Sequence, residues 1–415
     1  MSDIDRRDFL KIGTGAMSAF VISAEGSGLL ARFAEDAPDL HVAVIGVGRQ
    51  GRVLLSELNK FPFVKVSAIC DVIEGRLRSA RRRAPDAVAF TDYRKLLDER
   101  KEVQAVFLST PSHLHREIAL DCLAAGKHVY CEAPMATTID DCRAIAEAAK
   151  AASTLFHVGL QLRSNPIYRL ARSFVVSGSI RDLVTLRAQY HNKTSWRMPA
   201  SDASKERALN WKLYKESSIG LCGEIGTHQF DVISWFINKL PLAVEGCGGI
   251  FLHRDGREIY DTVQALMTWP GGVTMTYEAT LANSYGGQFE ELIGTMGAVR
   301  LIGDLGWLFK EADAPTQGWE VYAVRQHFHK EEGITLIADA TKLAKQGKLK
   351  EGVGLPHPPI YYGIGDFLGC VVEGKPSHCP APIGLRAAVM GIKAHEAVLT
   401  GRKIAFEPDW FKLGS

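Results

Sequence analysis

An apolar run rich in β-branched residues, Leu40 to Ile45, leads directly into Gly46-Val47-Gly48-Arg49-Gln50-Gly51 and then into the helical spacing of Val53, Leu54, Leu55 and Leu58. Strand, glycine turn and helix in this order specify the opening of a dinucleotide-binding fold. Gly46 allows the tight turn, Gly48 lets the backbone approach a pyrophosphate, and Gly51 permits close packing of helix on strand, so that the helix N-terminus faces the anion. Arg49 and Gln50 lie within the same turn and join the cofactor-binding candidates. A second strand, Val64 to Cys70, ends in Asp71, twenty residues after Gly51. A carboxylate there can accept hydrogen bonds from both ribose hydroxyls and repels a 2′-phosphate, which favours NAD over NADP. Arg76 and Arg78 follow closely and read as a solvent-facing helix, with pairing to such a phosphate as the alternative.

The alternation continues through the helical Tyr93 to Leu97, strand Ala105 to Ser109, helix Ser112 to Ala125, strand Val129 to Cys131, helix Ile139 to Ala152 and strand Leu155 to Val158. Alternating βα units predict a doubly wound parallel sheet over residues 38–158. After residue 158 the segments Leu183 to His191, Val244 to Leu252, Val263 to Trp269, Val273 to Leu281 and Phe289 to Ile293 switch to period two. They predict a second, α+β domain over 159–415, built on an open, mainly antiparallel sheet. Two domains suit a chain of 415 residues, at roughly 150 residues per domain.

A net charge of +2 leaves no broad footprint for nucleic acid, so a small uncharged substrate is expected. The eight cysteines show no CxxC pair or zinc-like spacing and read as buried, reduced hydrophobes. His327-Phe328-His329 alternates like a ligand pair but lacks a third ligand nearby, and no metal is expected. At the N-terminus, Arg6-Arg7-Asp8-Phe9-Leu10-Lys11 precedes a weakly apolar stretch, Ile12 to Ala24, too short and mild to span a bilayer. This looks like a twin-arginine signal over residues 1–37. It implies contact with the twin-arginine export machinery, an extracytoplasmic or periplasmic destination without membrane insertion, and a tightly held, internally recycled cofactor.

Beyond residue 38 the sequence resembles the glucose-fructose oxidoreductase, inositol dehydrogenase and rhizopine-catabolism family (Gfo/Idh/MocA). The most specific stretch runs from Thr110-Pro111-Ser112-His113-Leu114-His115 through Ala125-Gly126-Lys127-His128-Val129 to Cys131-Glu132-Ala133-Pro134. The resemblance implies that Thr110, Pro111 and His113 border the cofactor and that Glu132 lies near the nicotinamide ribose. It also implies a homo-oligomer packed through the antiparallel sheets. Members usually carry lysine where this chain has Ala133, hydrogen-bonded to the substrate hydroxyl that loses hydride.

In the second domain, Gly223-Glu224-Ile225-Gly226-Thr227-His228-Gln229-Phe230-Asp231 resembles the family's Asp-x-Gly-x-His-x-x-Asp segment. Four residues separate Glu224 from His228, so on one helix the carboxylate would orient an imidazole that exchanges a proton with a sugar hydroxyl. Arg163, Arg197 and His228 are candidates for substrate binding, and Tyr190 and His191, at the end of a strand, for catalysis beside a sugar ring. The leading expectation is an NAD-dependent oxidoreductase acting on a sugar or polyol. The alternative, resembling the NAD-dependent α-N-acetylgalactosaminidases, is a redox-neutral glycosidase or lyase that oxidises a ring carbon, eliminates the glycosidic bond and returns the hydride. A catalytically silent sugar-binding protein ranks below both.

Overall fold

The computed structural model describes residues 38–414, apart from 201–202, 319, 321–322, 329–330, 339, 341–342, 344–345 and 347. The expected signal segment and His329 therefore lie outside the described residues. The first sheet contains β1 (Leu40–Ile45), β2 (Val64–Cys70), β3 (Val88–Phe90), β4 (Ala105–Leu108), β5 (His128–Glu132) and β6 (Phe156–Gly159). All its pairings are parallel, in the order β3-β2-β1-β4-β5-β6. This is the doubly wound arrangement expected from the sequence. The chain reverses its direction of winding between β1 and β4, and a crevice opens there at the carboxyl ends of the strands.

Helices α1 (Arg49–Leu58), α2 (Glu74–Arg81), α3 (Tyr93–Glu99), α4 (His115–Ala124) and α5 (Ile139–Ala151) make the crossovers. Leu54, Leu55 and Leu58 of α1 are fully buried, which is why the helical spacing was legible. α5 begins at a threonine cap, with Thr138 Oγ1 accepting from the Asp141 amide at 3.1 Å.

The second sheet has ten strands: β7 (Leu183–His191), β8 (Ala243–Gly249), β9 (Thr262–Thr268), β10 (Thr274–Thr280), β11 (Gln288–Gly294), β12 (Gly297–Ile302), β13 (Leu305–Lys310), β14 (Arg325–Phe328), β15 (Glu331–Thr335) and β16 (Ile404–Ala405). It is antiparallel except where β7 and β10 pair in parallel. Period two is clear in β10, where Met275, Tyr277 and Ala279 are buried while Thr276 and Glu278 alternate outward.

Helices α6 (Pro166–Val176), α7 (Gly220–Glu224), α8 (Gly226–Ile237), α9 (Pro359–Glu373) and α10 (Ala381–Thr400) follow, together with a single helical turn at Glu206–Leu209 and several 3-10 turns. α9 follows the second sheet in sequence yet returns to the first. Its Ile360, Tyr361, Ile364, Phe367 and Leu368 share one apolar cluster with Leu54, Leu55 and Leu58 of α1, Phe107 of β4 and Tyr130 of β5. A second cluster runs continuously from Ile45 and Val158 in the first sheet, through Leu385 and Val389 of α10, to Tyr277 and Leu292 in the second. The two sheets thus share buried packing, which fixes the walls of the crevice between them. Seven of the eight cysteines are buried and all are free, but Cys247 is exposed, because it lies on an outward position of β8.

Candidate active site

The glycine turn divides its labour as geometry requires. Gly46 sits at φ +88°, and a Cβ there would lie 2.5 Å from the Ser109 carbonyl oxygen. A Cβ on Gly51 would lie 1.9 Å from the Gly46 carbonyl oxygen, so helix and strand touch through bare backbone. At Gly48 the nearest atoms to such a Cβ belong to the Arg76 guanidinium, 3.8 Å away. Gly48 also caps α1, whose first turn carries no acidic side chain and whose cap makes no side-chain hydrogen bond. The helix N-terminus is left to face an anion. Arg49 and Gln50 are exposed at this end of the helix.

Asp71 closes β2 beside the turn. Its carboxylate accepts from the Val47 amide at 3.0 Å and the Ile73 amide at 2.9 Å, with the Arg76 guanidinium 3.8 Å away. Burial pushes its pKa above the usual carboxylate range, against these hydrogen bonds and the nearby arginine. Arg78, in contrast, is exposed and faces Glu74.

Across the crevice, Ser109, Thr110 and Pro111 follow β4, and the backbone of Ser109 and Thr110 packs on Gly46. His115 is buried between the Thr110 and Pro134 carbonyls, at 3.0 and 3.1 Å. A neutral imidazole has one N–H and donates to only one of them. Burial lowers its pKa to about 4, so the ring is a neutral staple between two loops. Glu132 ends β5 and accepts from the Gln50 amide at 3.0 Å. Burial raises its pKa to about 7, opposed by Gln50 and by the positive charge of Lys212.

The second domain meets these loops through residues 211–228. His113 points to the Ser217 carbonyl at 3.1 Å, and its ring lies 5.9 Å from that of Trp211. Ser112 Oγ donates to Glu224 Oε2 at 2.9 Å. Glu224 also accepts from Ser218 at 3.3 Å, and burial raises its pKa. The expectation that Glu224 orients His228 is corrected here. The helix breaks at Ile225, whose φ of −119° separates α7 from α8, and the Glu224 carboxylate turns to the two serines. His228 Nδ1 is buried without a partner among the described residues, and burial, followed by the charge of Lys212, lowers the ring's pKa to about 4.

Other expected residues lie elsewhere. Arg163 forms a two-pronged ion pair with buried Asp231, at 2.7 and 2.8 Å, and lies 5.3 Å from the Trp235 ring. It is a structural residue rather than a free substrate ligand. Arg197 is likewise committed, to Glu206 at 2.6 Å and Asp255 at 3.1 Å. Tyr190 and His191 were grouped at one strand end, but neighbours on a strand face opposite sides. Tyr190 packs against the core, while His191 holds the Tyr285 carbonyl at 2.7 Å and Glu278 at 3.0 Å on the other side. His327 lies 3.9 Å from Glu332, and no group of three potential metal ligands occurs among the described residues.

The residue that sequence reasoning missed is Lys212. Its ammonium sits 5.1 Å from the Trp196 ring and 5.3 Å from the Trp211 ring. Its charge acts on Glu132, Glu224 and His228 together. The only available signal was its place between a tryptophan and the Gly223–Asp231 segment.

The crevice fits a dinucleotide by its own features: the unobstructed side of Gly48, Asp71 at the strand end, and the buried hydroxyls of Ser109 and Thr110, which have no partner among the described residues. Comparison with known proteins agrees. Residues 40–160 match the oxidoreductase family with an NAD-binding Rossmann fold, and residues 168–300 match the GFO/IDH/MocA C-terminal domain. The levoglucosan dehydrogenase of Pseudarthrobacter phenanthrenivorans is 28% identical over 50% of this chain and 57% of its own length. The inositol 2-dehydrogenase of Salmonella typhimurium is 26% identical over 48% of this chain and 55% of its own. The chain thus spans little more than half the length of these curated relatives in sequence. In fold, an oxidoreductase domain protein from Kribbella flavida superposes with a TM-score of 0.72 at 23% identity, covering 89% of this chain and 99% of that one. A levoglucosan dehydrogenase in complex with NADH and levoglucosan gives 0.70 at 21%, covering 88% and 99%. Taken with the glycine turn, Asp71 and the two-sheet architecture, these matches show that the chain belongs to the Gfo/Idh/MocA family of NAD-binding oxidoreductases.

Proposed function

We propose that this protein oxidises a hydroxyl-bearing carbon of a sugar or polyol, with His228 as the proton acceptor. The observation that carries the reading is the His228 imidazole, whose buried Nδ1 has no hydrogen-bond partner among the described residues. NAD, when bound, accepts a hydride from that carbon. The chain supplies the rest. A pKa of about 4 leaves the imidazole unprotonated at neutral pH, so that a ring nitrogen keeps the lone pair needed to accept the hydroxyl proton. Gly46, Gly48 and Gly51 shape the dinucleotide turn, Asp71 would accept from the ribose hydroxyls, and Gln50 and Glu132, hydrogen-bonded to each other, would hold the nicotinamide end. Trp196 and Trp211 offer apolar faces on which a sugar ring can stack. The test is a panel of polyols and sugars with NAD, followed as NADH absorbance, in wild type and His228→Ala. Loss of about a hundredfold or more in kcat supports the assignment, and full activity of the variant removes His228 from the mechanism.

A second reading, redox-neutral cleavage of a glycoside, is favoured by Ala133, since the usual lysine of simple alcohol oxidation is missing there. Cleavage without added NAD and without NADH accumulation would establish it. Arg6 and Arg7 support export of the folded protein by the twin-arginine route, and changing both to lysine should hold it in the cytoplasm. The outward face of the second sheet, where Val184 and Tyr285 are exposed, is the surface through which a homo-oligomer would form.

A further inference from the structure

We propose that Lys212 is the cationic substrate-binding residue of this site, donating from its ammonium to the substrate oxygen whose carbon is oxidised. The inference rests on the reading of the site as a sugar or polyol oxidoreductase and names the group that serves the reacting oxygen.

Lys212 lies on the short 3-10 turn Trp211–Leu213 between β7 and α7, in the second domain. Two indoles flank it. Trp211 is anchored to the first domain, where its ring meets His113, and Trp196 reaches the lysine from a loop whose backbone turns through φ +61° at that residue. A left-handed backbone at a bulky residue is costly and persists where packing demands it. Here it brings the Trp196 indole to the ammonium, while the next side chain, Arg197, turns away to Glu206 and Asp255. The ammonium is thus held by two aromatic faces, and no carboxylate lies within 4 Å of it among the described residues. Cation–π contacts position the charge without consuming its N–H donors.

Placed this way, Lys212 acts on one titratable group from the first domain, Glu132, and two from the second, Glu224 and His228. It favours the ionised carboxylates and the neutral imidazole. The same charge disfavours the imidazolium, so what it contributes to the reaction lies at the substrate oxygen. As the hydroxyl proton passes to His228 and the C–H hydride leaves to NAD, the substrate oxygen gathers negative charge before it becomes the carbonyl oxygen, and a fixed ammonium stabilises that charge. Glu132, whose carboxylate the cation favours, is the residue next to Ala133, where the sequence carries only a methyl group.

The test uses the full chain with Lys212→Met and Lys212→Arg. His228 is followed by NMR titration, NAD affinity by calorimetry, and kinetics with whichever of myo-inositol, levoglucosan or glucose the wild type oxidises. In Lys212→Met, His228 should titrate higher than in wild type, NAD affinity should change less than about threefold, and kcat should fall by about a hundredfold or more, the scale of a lost charge-stabilising donor. Lys212→Arg should keep the low His228 titration and recover part of kcat. A His228 titration unchanged in Lys212→Met overturns the proposal, whether or not a substrate is found. Unchanged kcat and KM in that variant overturn it as well. If the titration shifts but wild type oxidises no member of the panel, the place of the cation stands and the sugar or polyol reading fails.

Discussion

Ser112, on the loop after β4, donates its hydroxyl to Glu224, at the end of α7, across 2.9 Å and 112 residues of sequence. One hydrogen bond joins the dinucleotide-binding domain to the helix break that sets the position of His228. Both residues are buried. Ser112→Ala leaves Glu224 with Ser218 as its remaining hydroxyl partner, and losing a bond to a buried carboxyl group should cost about 1–3 kcal/mol. Thermal unfolding measures that cost directly. An unchanged melting temperature would show that the contact contributes nothing to stability.

The three glycines of the turn should separate on substitution. Gly51→Ala forces a Cβ to within 1.9 Å of a carbonyl oxygen, so the expected result is misfolding or a loss of several degrees in Tm. Gly48→Ala meets only the end of the Arg76 side chain at 3.8 Å. Its melting temperature should stay within a few degrees of wild type while NAD affinity falls by about tenfold or more, because the methyl group occupies the approach to the pyrophosphate. Equal NAD affinity in Gly48→Ala and wild type would contradict that role.

Much of this fold was legible because two periodicities alternate cleanly in the chain. β1, β2 and β7 begin and end where the sequence indicates, since a buried strand of β-branched residues is bounded by turn chemistry. Helix α9 was less readable: nothing local in Pro359–Glu373 says that it returns to the first sheet, since that depends on which apolar surface is left uncovered. Site residues divide along the same line. Gly46, Gly51 and Asp71 follow from local backbone geometry, whereas the Arg163–Asp231 pair spans 68 residues and the Ser112–Glu224 contact beside the break at Ile225 spans 112. Lys212 is a lone lysine in a loop, and only the fold shows which carboxylates it faces.

The preference for NAD expected from Asp71 stands against a local excess of positive charge. Arg52 is held below its usual pKa by burial and by Arg83, Arg76 and Arg82 nearby, and Arg76 lies 3.8 Å from Asp71 itself. Asp71→Asn keeps the side-chain shape and removes the charge that repels a 2′-phosphate. The Kd for NADP relative to NAD should then fall by about tenfold or more, a change of ~1.4 kcal/mol. Adding Arg76→Ala should reverse most of it. Isothermal titration with both nucleotides decides the matter, and an unaltered ratio in Asp71→Asn would remove Asp71 as the discriminator.

Two buried groups should pull the pH dependence of stability in opposite directions. The Glu132 carboxyl is raised from 4.5 to about 7, so its contribution is fully present below pH 4.5 and is lost as pH rises through 7. His115 is lowered from 6.5 to about 4, so its contribution is present above pH 6.5 and is lost as pH falls through 4. Each shift corresponds to ~3 kcal/mol at most. Glu132→Gln should gain stability relative to wild type as pH rises from 4.5 to 7, and His115→Gln should gain relative to wild type as pH falls from 6.5 to 4. Differences that do not vary with pH would place both ionisations outside the folding equilibrium.

Arg163 distinguishes a ligand for substrate from a strut for the site. Its Nε and Nη2 both donate to Asp231, which is 2% exposed and lies about one helical turn beyond His228 on α8. Breaking a buried ion pair from one side leaves an uncompensated charge, at a cost of about 3–5 kcal/mol. Arg163→Ala should therefore lower Tm strongly. Replacing both partners by apolar residues, Arg163→Met with Asp231→Leu, should recover a large part of the loss, because no lone charge remains buried. At a temperature where Arg163→Ala is folded, its KM for an accepted polyol should stay within about threefold of wild type, less than the ~1.4 kcal/mol of a tenfold change. A variant with wild-type Tm and a KM raised tenfold would return Arg163 to the substrate, and the ion pair would then be incidental to the fold.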